Sequence, residues 1–293
     1  MPRIAYVNGR YLPHRRARVH IEDRGYQFAD GVYEVVPVFH SQLIDEELHL
    51  DRLERSLSEL RIPMPLPRRV LKMISAEVMR RNHLSYGFLY MQVTRGVAAR
   101  DHKFPRNVRP SLVMTIRQMK PQSAELLEKG VKIITVPDIR WQRRDIKSIA
   151  LLPNCLAKQE AVEAGAAEAW MVDPDGTITE GSSTNAWIIT PNNKLVTRKA
   201  DHSILDGITR QSLLSAARAA GIDFEERPFT LEEAYQAREA FLTSSTNLVL
   251  PITRIDEKPV GNGHPGLLTM RLRQLYLEYV TSPQETPTIR GAA

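Results

Sequence analysis

The chain reads as an α+β protein built in two unequal parts, and three observations predict this. Its 293 residues exceed what one ordinary core organises, which suits two domains or one large one. Apolar residues recur three and four apart in some stretches and gather in short β-branched runs in others. In the first half, the helical stretches are grouped between strands rather than alternating with them.

The chain opens with a predicted hairpin, "IAYV" and "RYL" about the Asn8–Gly9 turn. The run "YQFADGVYEVVPVF" reads as strand-rich, since Val35, Val36 and Val38 favour a pleated surface. In "EELHLDRLERSLSELRI", Leu50, Leu53, Leu57 and Leu60 form one apolar stripe of a helix. "PRRVLKMISAEVMRRN" repeats the pattern with Val70, Ile74 and Val78, and two strand candidates follow, "GFLYMQVTRG" and "SLVMTIRQM". The polar stretch around Pro121 marks a boundary. It predicts a small N-terminal α/β domain over 1–118, a linker over 119–125 and a larger domain over 126–282.

The second part starts with the strand "VKIITVP" and a helix "CLAKQEAVEAG" closed by Gly165. Two hairpins are predicted to turn at Asp175–Gly176 and Asn192–Asn193. A helix ending at Gly221, the strand "EAFLTSS" and a last helix reaching Val280 complete the pattern. Residues 283–293 lack the apolar side chains needed to order themselves.

Composition narrows the function. The start, "MPRIAYVNGR", lacks the apolar region of a secretory signal, and no run is long enough to span a membrane. The single Cys155 rules out an intrachain disulfide framework and fits a reducing cytoplasm; no metal-ligand spacing appears. A formal charge of +6 admits nucleic acid as a partner, but the basic residues come as scattered pairs with acids between them. An enzyme drawing in anionic cofactor and substrates fits that distribution better.

Five local features are unusual as pure structure. Lys147 interrupts the apolar run of Ile146, Ile149, Ala150, Leu151 and Leu152. Either it faces water from a half-exposed strand, or it lies in a dry pocket where burial favours a neutral, nucleophilic amine. In "TEGSST", Glu180 precedes a cluster of hydroxyls, which is either a polar turn or a carboxylate with donors around it. Gly207, Ile208 and Thr209 open a helix, where free N–H groups attract anions unless a side chain caps them. "LTSSTN" ends a strand in hydroxyls that bind phosphate or satisfy a turn. Arg100 and His102, two apart in "VTRGVAARDHKFP", point to one side of an extended segment and suit a carboxylate. Together these supply an amine, a carboxylate and phosphate donors, the needs of a pyridoxal phosphate site.

The pieces "EDRGYQFADGVYEV", "QVTRGVAARDHKFP", "DIRWQRRDIKSIALLPN", "AKQEA", "TEGSSTN" and "ILDGITR" occur in the order seen in one family. From about Tyr6 to Val280 the chain resembles the fold-type IV pyridoxal-phosphate aminotransferases, most closely their D-amino-acid-specific members. The resemblance implies a small α/β domain followed by a pseudo-barrel. It makes Lys147 the Schiff-base lysine and Glu180 the partner of the cofactor's ring nitrogen. Arg52, Ile208 and Thr209, with Ser244 and Ser245, correspond to phosphate contacts, and Leu205 to a residue packed on the ring. Tyr33, Arg100 and His102 match a clamp for the substrate α-carboxylate, the last two reaching in from the neighbouring subunit of a homodimer. Ser245 replaces a threonine and Ala29 a glycine of the family pattern. The implied reaction is ping-pong transamination between D-amino acids such as D-alanine or D-glutamate and 2-oxo acids such as pyruvate or 2-oxoglutarate. Branched-chain or (R)-amine transamination, or aminodeoxychorismate lyase chemistry, are the alternatives on the same fold.

Overall fold

A computed structural model describes residues 3–282, so the predicted tail over 283–293 lies outside the described residues. Strands β1 (Ile4–Val7) and β2 (Arg10–Pro13) form the expected hairpin. The turn works because Asn8 and Gly9 accept positive φ, 44° and 91°. The stretch around Tyr26 departs from expectation: it is a short helix, α1 (Arg24–Phe28), rather than strand. Asp23 Oδ1 accepts from the Gly25 amide at 2.8 Å, and this cap starts a helical turn that the later valines had masked. The helix stops at Ala29, held at φ 53°, a left-handed conformation that glycine adopts at lower cost.

Next come β3 (Gly31–Phe39), β4 (Gln42–Leu43), α2 (Glu46–Glu59), α3 (Arg68–Asn82), β5 (Tyr86–Thr94) and β6 (Ser111–Gln118). The strands build one antiparallel sheet in the order β2-β1-β6-β5-β3-β4. The apolar stripes of α2 and α3 bury Leu50, Leu53, Leu57, Leu71, Ile74 and Val78 against it.

After α4 (Ala124–Lys129) the chain forms β7 (Val131–Pro137), α5 (Leu152–Glu163), β8 (Glu168–Val172), β9 (Ile178–Gly181), β10 (Asn185–Ile189) and β11 (Leu195–Thr197). It continues with α6 (Ile208–Ala219), β12 (Phe224–Glu226), α7 (Leu231–Tyr235), β13 (Glu239–Ser244), β14 (Leu248–Ile255), β15 (Lys258–Pro259) and α8 (Leu267–Thr281). These strands make a second, mixed sheet in the order β12-β11-β10-β13-β14-β7-β8-β9, with β15 beside β14. The sheet curls until β9 returns alongside β10, giving a half-barrel. Helices α6 and α8 cover one face, packing Leu213, Ala217, Leu272 and Tyr276 over Trp187 and Phe241.

One buried ionic knot fixes α2 on β3. Glu34, 1% exposed, accepts from Arg52 Nε at 2.8 Å, Arg52 Nη2 at 2.7 Å and His49 Nδ1 at 2.7 Å. Burial alone would raise the Glu34 pKa, but the guanidinium and imidazole bring it down to about 2. Burial lowers the pKa of His49, whose Nδ1 lies 2.7 Å from Glu34 Oε2. A carboxylate with a depressed folded pKa contributes stability that is present above its unfolded pKa and lost as pH falls. Glu34→Gln should therefore cost ~3 kcal/mol near neutrality, the penalty for leaving a buried cation unpaired. Its stability loss relative to the parent should shrink between pH ~5 and ~2, read by denaturant melts across that range.

Candidate active site

The site begins with how Lys147 is held. The segment over residues 145–149 leaves the second sheet and docks on the free edge of β3. The Tyr33 amide donates to the Lys147 carbonyl at 3.0 Å, and the Ile149 amide donates to the Gly31 carbonyl at 3.1 Å. A bridge joins Val32 to Ser148, and the Lys147 amide donates to Ser56 Oγ of α2 at 3.3 Å. Arg55 and Arg143 grip Asp145 just upstream, at 2.5 and 3.0 Å. Lys147 is thereby turned into a cavity of about 550 Å³ rather than outward from a strand. Its Nζ lies 4.2 Å from the centroid of the Tyr33 ring, a cation–π or amine–π distance.

The same cavity is lined by Tyr33, Arg52, Glu180, Leu205, Ile208, Thr209, Ser244 and Ser245, all singled out from the sequence. Arg100 and His102 are absent from its lining. They project from an exposed loop after β5, and both pack on Phe28: Arg100 lies 5.1 Å and the His102 ring 5.5 Å from its centroid. That loop is anchored from below. Asp30 pairs with Arg24 at 2.8 Å and Arg95 at 2.7 Å, Arg24 Nη1 donates to the Asp101 carbonyl at 2.5 Å, and Arg95 sits 3.6 Å from the Phe104 ring centroid.

Glu180, on β9, is buried and held by three donors. Oε1 accepts from Arg140 Nη1 at 2.5 Å, and Oε2 accepts from Asn185 Nδ2 and the Leu205 amide, both at 3.1 Å. A carboxylate offers about four acceptor directions, so one is left for a donor inside the cavity. Burial raises the Glu180 pKa, and the Arg140 guanidinium opposes the rise. Arg140 was missed as a site residue in the sequence, although it stands in the quoted "DIRWQRRDIKS" two residues after an aspartate that pairs with it. Asn185, next to "TEGSST", was also missed.

Helix α6 starts at Gly207 with no side-chain cap, so the first N–H groups, those of Ile208 and Thr209, are open at the cavity floor. Arg52 lies beside this helix start: after Glu34 takes its Nε and Nη2, its Nη1 donates to the Asp206 carbonyl at 2.9 Å. The hydroxyls after β13 divide their work. Ser244 Oγ accepts from the Asn247 amide at 3.0 Å and so shapes the turn, while Ser245 and Thr246 border the cavity.

The sequence pattern of amino-transferase class IV matches residues 31–255, more than half of the chain. The chain belongs to the class IV aminotransferases. Among related proteins, the D-alanine aminotransferase of Bacillus licheniformis is 39% identical over 267 residues, covering 91% of this chain and 93% of that one. That of Staphylococcus haemolyticus is 35% identical over 277 residues, covering 94% and 98%. Among solved structures, the branched-chain amino acid aminotransferase of Thermobaculum terrenum (M3 mutant) superposes with a TM-score of 0.83. Its identity is 25%, and the match covers 95% of this chain and 93% of that one. The Escherichia coli branched-chain enzyme, at 22% identity and a TM-score of 0.85, shares the fold; the match covers 99% of this chain and 98% of that one.

Gly207 closes the ring of contacts around Glu180. A Cβ there would stand 2.0 Å from Asn185 Oδ1, so any larger residue displaces the amide that holds Glu180 and the Leu205 carbonyl. Gly207→Ala should destabilise the fold by roughly 1–3 kcal/mol through overpacking, measured as a lowered midpoint of thermal unfolding.

Proposed function

We propose that this class IV aminotransferase transfers amino groups between D-amino acids, of the D-alanine and D-glutamate type, and 2-oxo acids, using pyridoxal 5′-phosphate. The observation that carries the reading is the convergence of Lys147, buried Glu180 and the uncapped start of α6 on one cavity. That donor set fits the cofactor. Arg52 and the Ile208 and Thr209 amides suit its phosphate, with Ser244 and Ser245 on the same cavity wall, and Leu205, also on that wall, would pack on its ring. The open acceptor direction of Glu180 suits the N–H of a pyridinium.

When bound, the cofactor supplies an aldehyde for the substrate's amine and a ring that accepts electrons. The chain does the rest. Glu180, anchored by Arg140, Asn185 and the Leu205 amide, would hold a negative charge for the ring nitrogen to meet. Lys147 Nζ would take the proton from the substrate Cα and pass it to the carbon of the cofactor's aldehyde group on the same face, and the lysine's fixed direction would make that transfer one-faced. Tyr33, together with Arg100 and His102 of the partner subunit, holds the substrate carboxylate and so decides which hand of amino acid presents its Cα–H to the lysine. Support for a shared site comes from Ile21 and Tyr26, 77% and 78% exposed, which leave apolar surface beside the Arg100 loop for a second copy to cover.

Branched-chain transamination is the competing reading, since solved branched-chain enzymes share the fold. The D-alanine relatives at 35–39% identity and the Arg100–His102 pair favour the D-specific one. A half-reaction decides between them. D-alanine should convert the bound cofactor's absorption from the aldehyde to the amine form, while L-alanine, L-leucine and L-valine should be slower by at least about a hundredfold. Conversion by the L-amino acids alone would overturn the reading. Lys147→Ala should retain cofactor and lose turnover by about three orders of magnitude or more.

The shared site has its own test. Lys147→Ala and Arg100→Ala subunits should each be nearly inactive with D-alanine. Mixed and allowed to exchange, they should regain roughly a quarter of the parent activity, because hybrid dimers carry one intact site.

A further inference from the structure

Arg140 presents a problem of charge. A guanidinium 2.5 Å from Glu180 neutralises the carboxylate that is meant to balance a protonated ring. Asp138 resolves it. Its Oδ1 accepts from Arg140 Nε at 3.0 Å and from the Arg140 amide at 3.1 Å, and its Oδ2 accepts from Arg140 Nη2 at 2.7 Å. The Asp138 side chain is itself fully buried, and its pKa, which burial would raise, is lowered by Arg140. The row Glu180, Arg140, Asp138 therefore carries charges of −1, +1 and −1, a net −1 at the cavity wall.

We propose that Asp138 and Arg140 act as a positioning and charge-balancing pair that sets how firmly Glu180 holds the proton it shares with the cofactor's ring nitrogen. The inference rests on the proposed placement of that ring against Glu180. Arg144, 3.4 Å from Asp138, lies nearer to Asp173, at 2.9 Å, and Arg198 also approaches Asp173, at 3.9 Å; both arginines stay in place in the variants below. Thr179 Oγ1 lies 2.7 Å from Asp138 Oδ2, and Asn185 and the Leu205 amide are neutral donors to Glu180. Across the cavity, Arg52 is occupied by Glu34, and Lys147 and the Asp173-paired Arg144 also line the wall. The charge at Asp138 is thus the one that offsets Arg140.

Two neutralising changes should act in opposite directions. Asp138→Asn leaves Arg140 uncompensated, makes Glu180 a weaker base and loosens the shared proton. Arg140→Gln keeps a hydrogen-bond donor in place but removes the positive charge, so the proton is held more tightly. The double variant removes one charge of each sign and restores the net −1.

The experiment uses holoenzyme loaded with cofactor carrying heavy nitrogen in its ring, followed by nitrogen NMR across pH. For Asp138→Asn, the pH at which the ring–carboxylate pair loses its proton should fall by about one unit or more. For Arg140→Gln it should rise, and for the double variant it should return toward the parent value. An unmoved midpoint in Asp138→Asn, or a double variant no closer to the parent than that single variant, overturns the pairing. If Asp138→Asn does not fold, Arg140→Gln carries the test alone, and a midpoint that stays or falls overturns it. The parent protein keeps the two ideas separate. If it binds no cofactor, the functional reading fails first; if it transaminates D-alanine while the variants' midpoints stay put, only this inference fails.

Discussion

The whole site depends on a short length of backbone pairing between parts of the fold that are far apart in sequence. Residues 147–149 complete the unpaired edge of β3, so one sheet supplies the lysine's footing while the other supplies Glu180 and the start of α6. A main-chain ladder is a stiff mount: it fixes where the Lys147 Cα sits and which way its side chain leaves. The extra bond to Ser56 and the grip of Arg55 and Arg143 on Asp145 tie the same segment to α2. Because α2 also carries Arg52, the candidate phosphate contact and the candidate catalytic amine share one helix as their support.

The buried charges near the site follow a common pattern. Three arginines that enter the interior each meet a carboxylate with two side-chain contacts: Glu34 for Arg52, Asp30 for Arg95, Asp138 for Arg140. Cations carried into the interior would be costly without partners, and these carboxylates supply them. Glu168 reverses the pattern. It is buried without a cationic partner among the described residues and is satisfied by the Ala169 and Ser182 amides and by the hydroxyls of Ser182, Ser183 and Thr184. The hydroxyl cluster after Glu180 thus spends part of its bonding on holding its own corner.

Much of this was readable from residue patterns, and the gaps have physical causes. Leucines at helical spacing announced α2, the Asn8–Gly9 pair announced the first turn, and Gly165 and Gly221 lie at positive φ just past α5 and α6. Strand β14 escaped notice because Pro251 interrupts "LVLPITRI", and a proline within a run argues against a central strand. It nevertheless pairs with β13 and β7, with Pro251 opposite Phe241. Short helix α1 was hidden because its cap, Asp23, precedes only five helical residues before a strong β-run. Within the site, single residues with distinctive chemistry stood out, such as Lys147 in an apolar run. Arg140 and His49 did not, because they stand among charged residues that read as surface, and Glu34 did not, because a lone carboxylate among strand valines reads as the strand's solvent face until tertiary packing buries it.

The turn from α1 into β3 joins two jobs. Asp30 grips Arg24 and Arg95 beneath the Arg100 loop, and the next residue, Gly31, receives the Ile149 amide that seats the lysine segment. A Cβ on Gly31 would press to 2.6 Å from the Val93 carbonyl, so this junction has no slack. In the proposed dimer, a shift of two adjacent peptide units would disturb the amine of one catalytic centre and the carboxylate grip of the other. The two centres would then respond together to any change at this rigid junction.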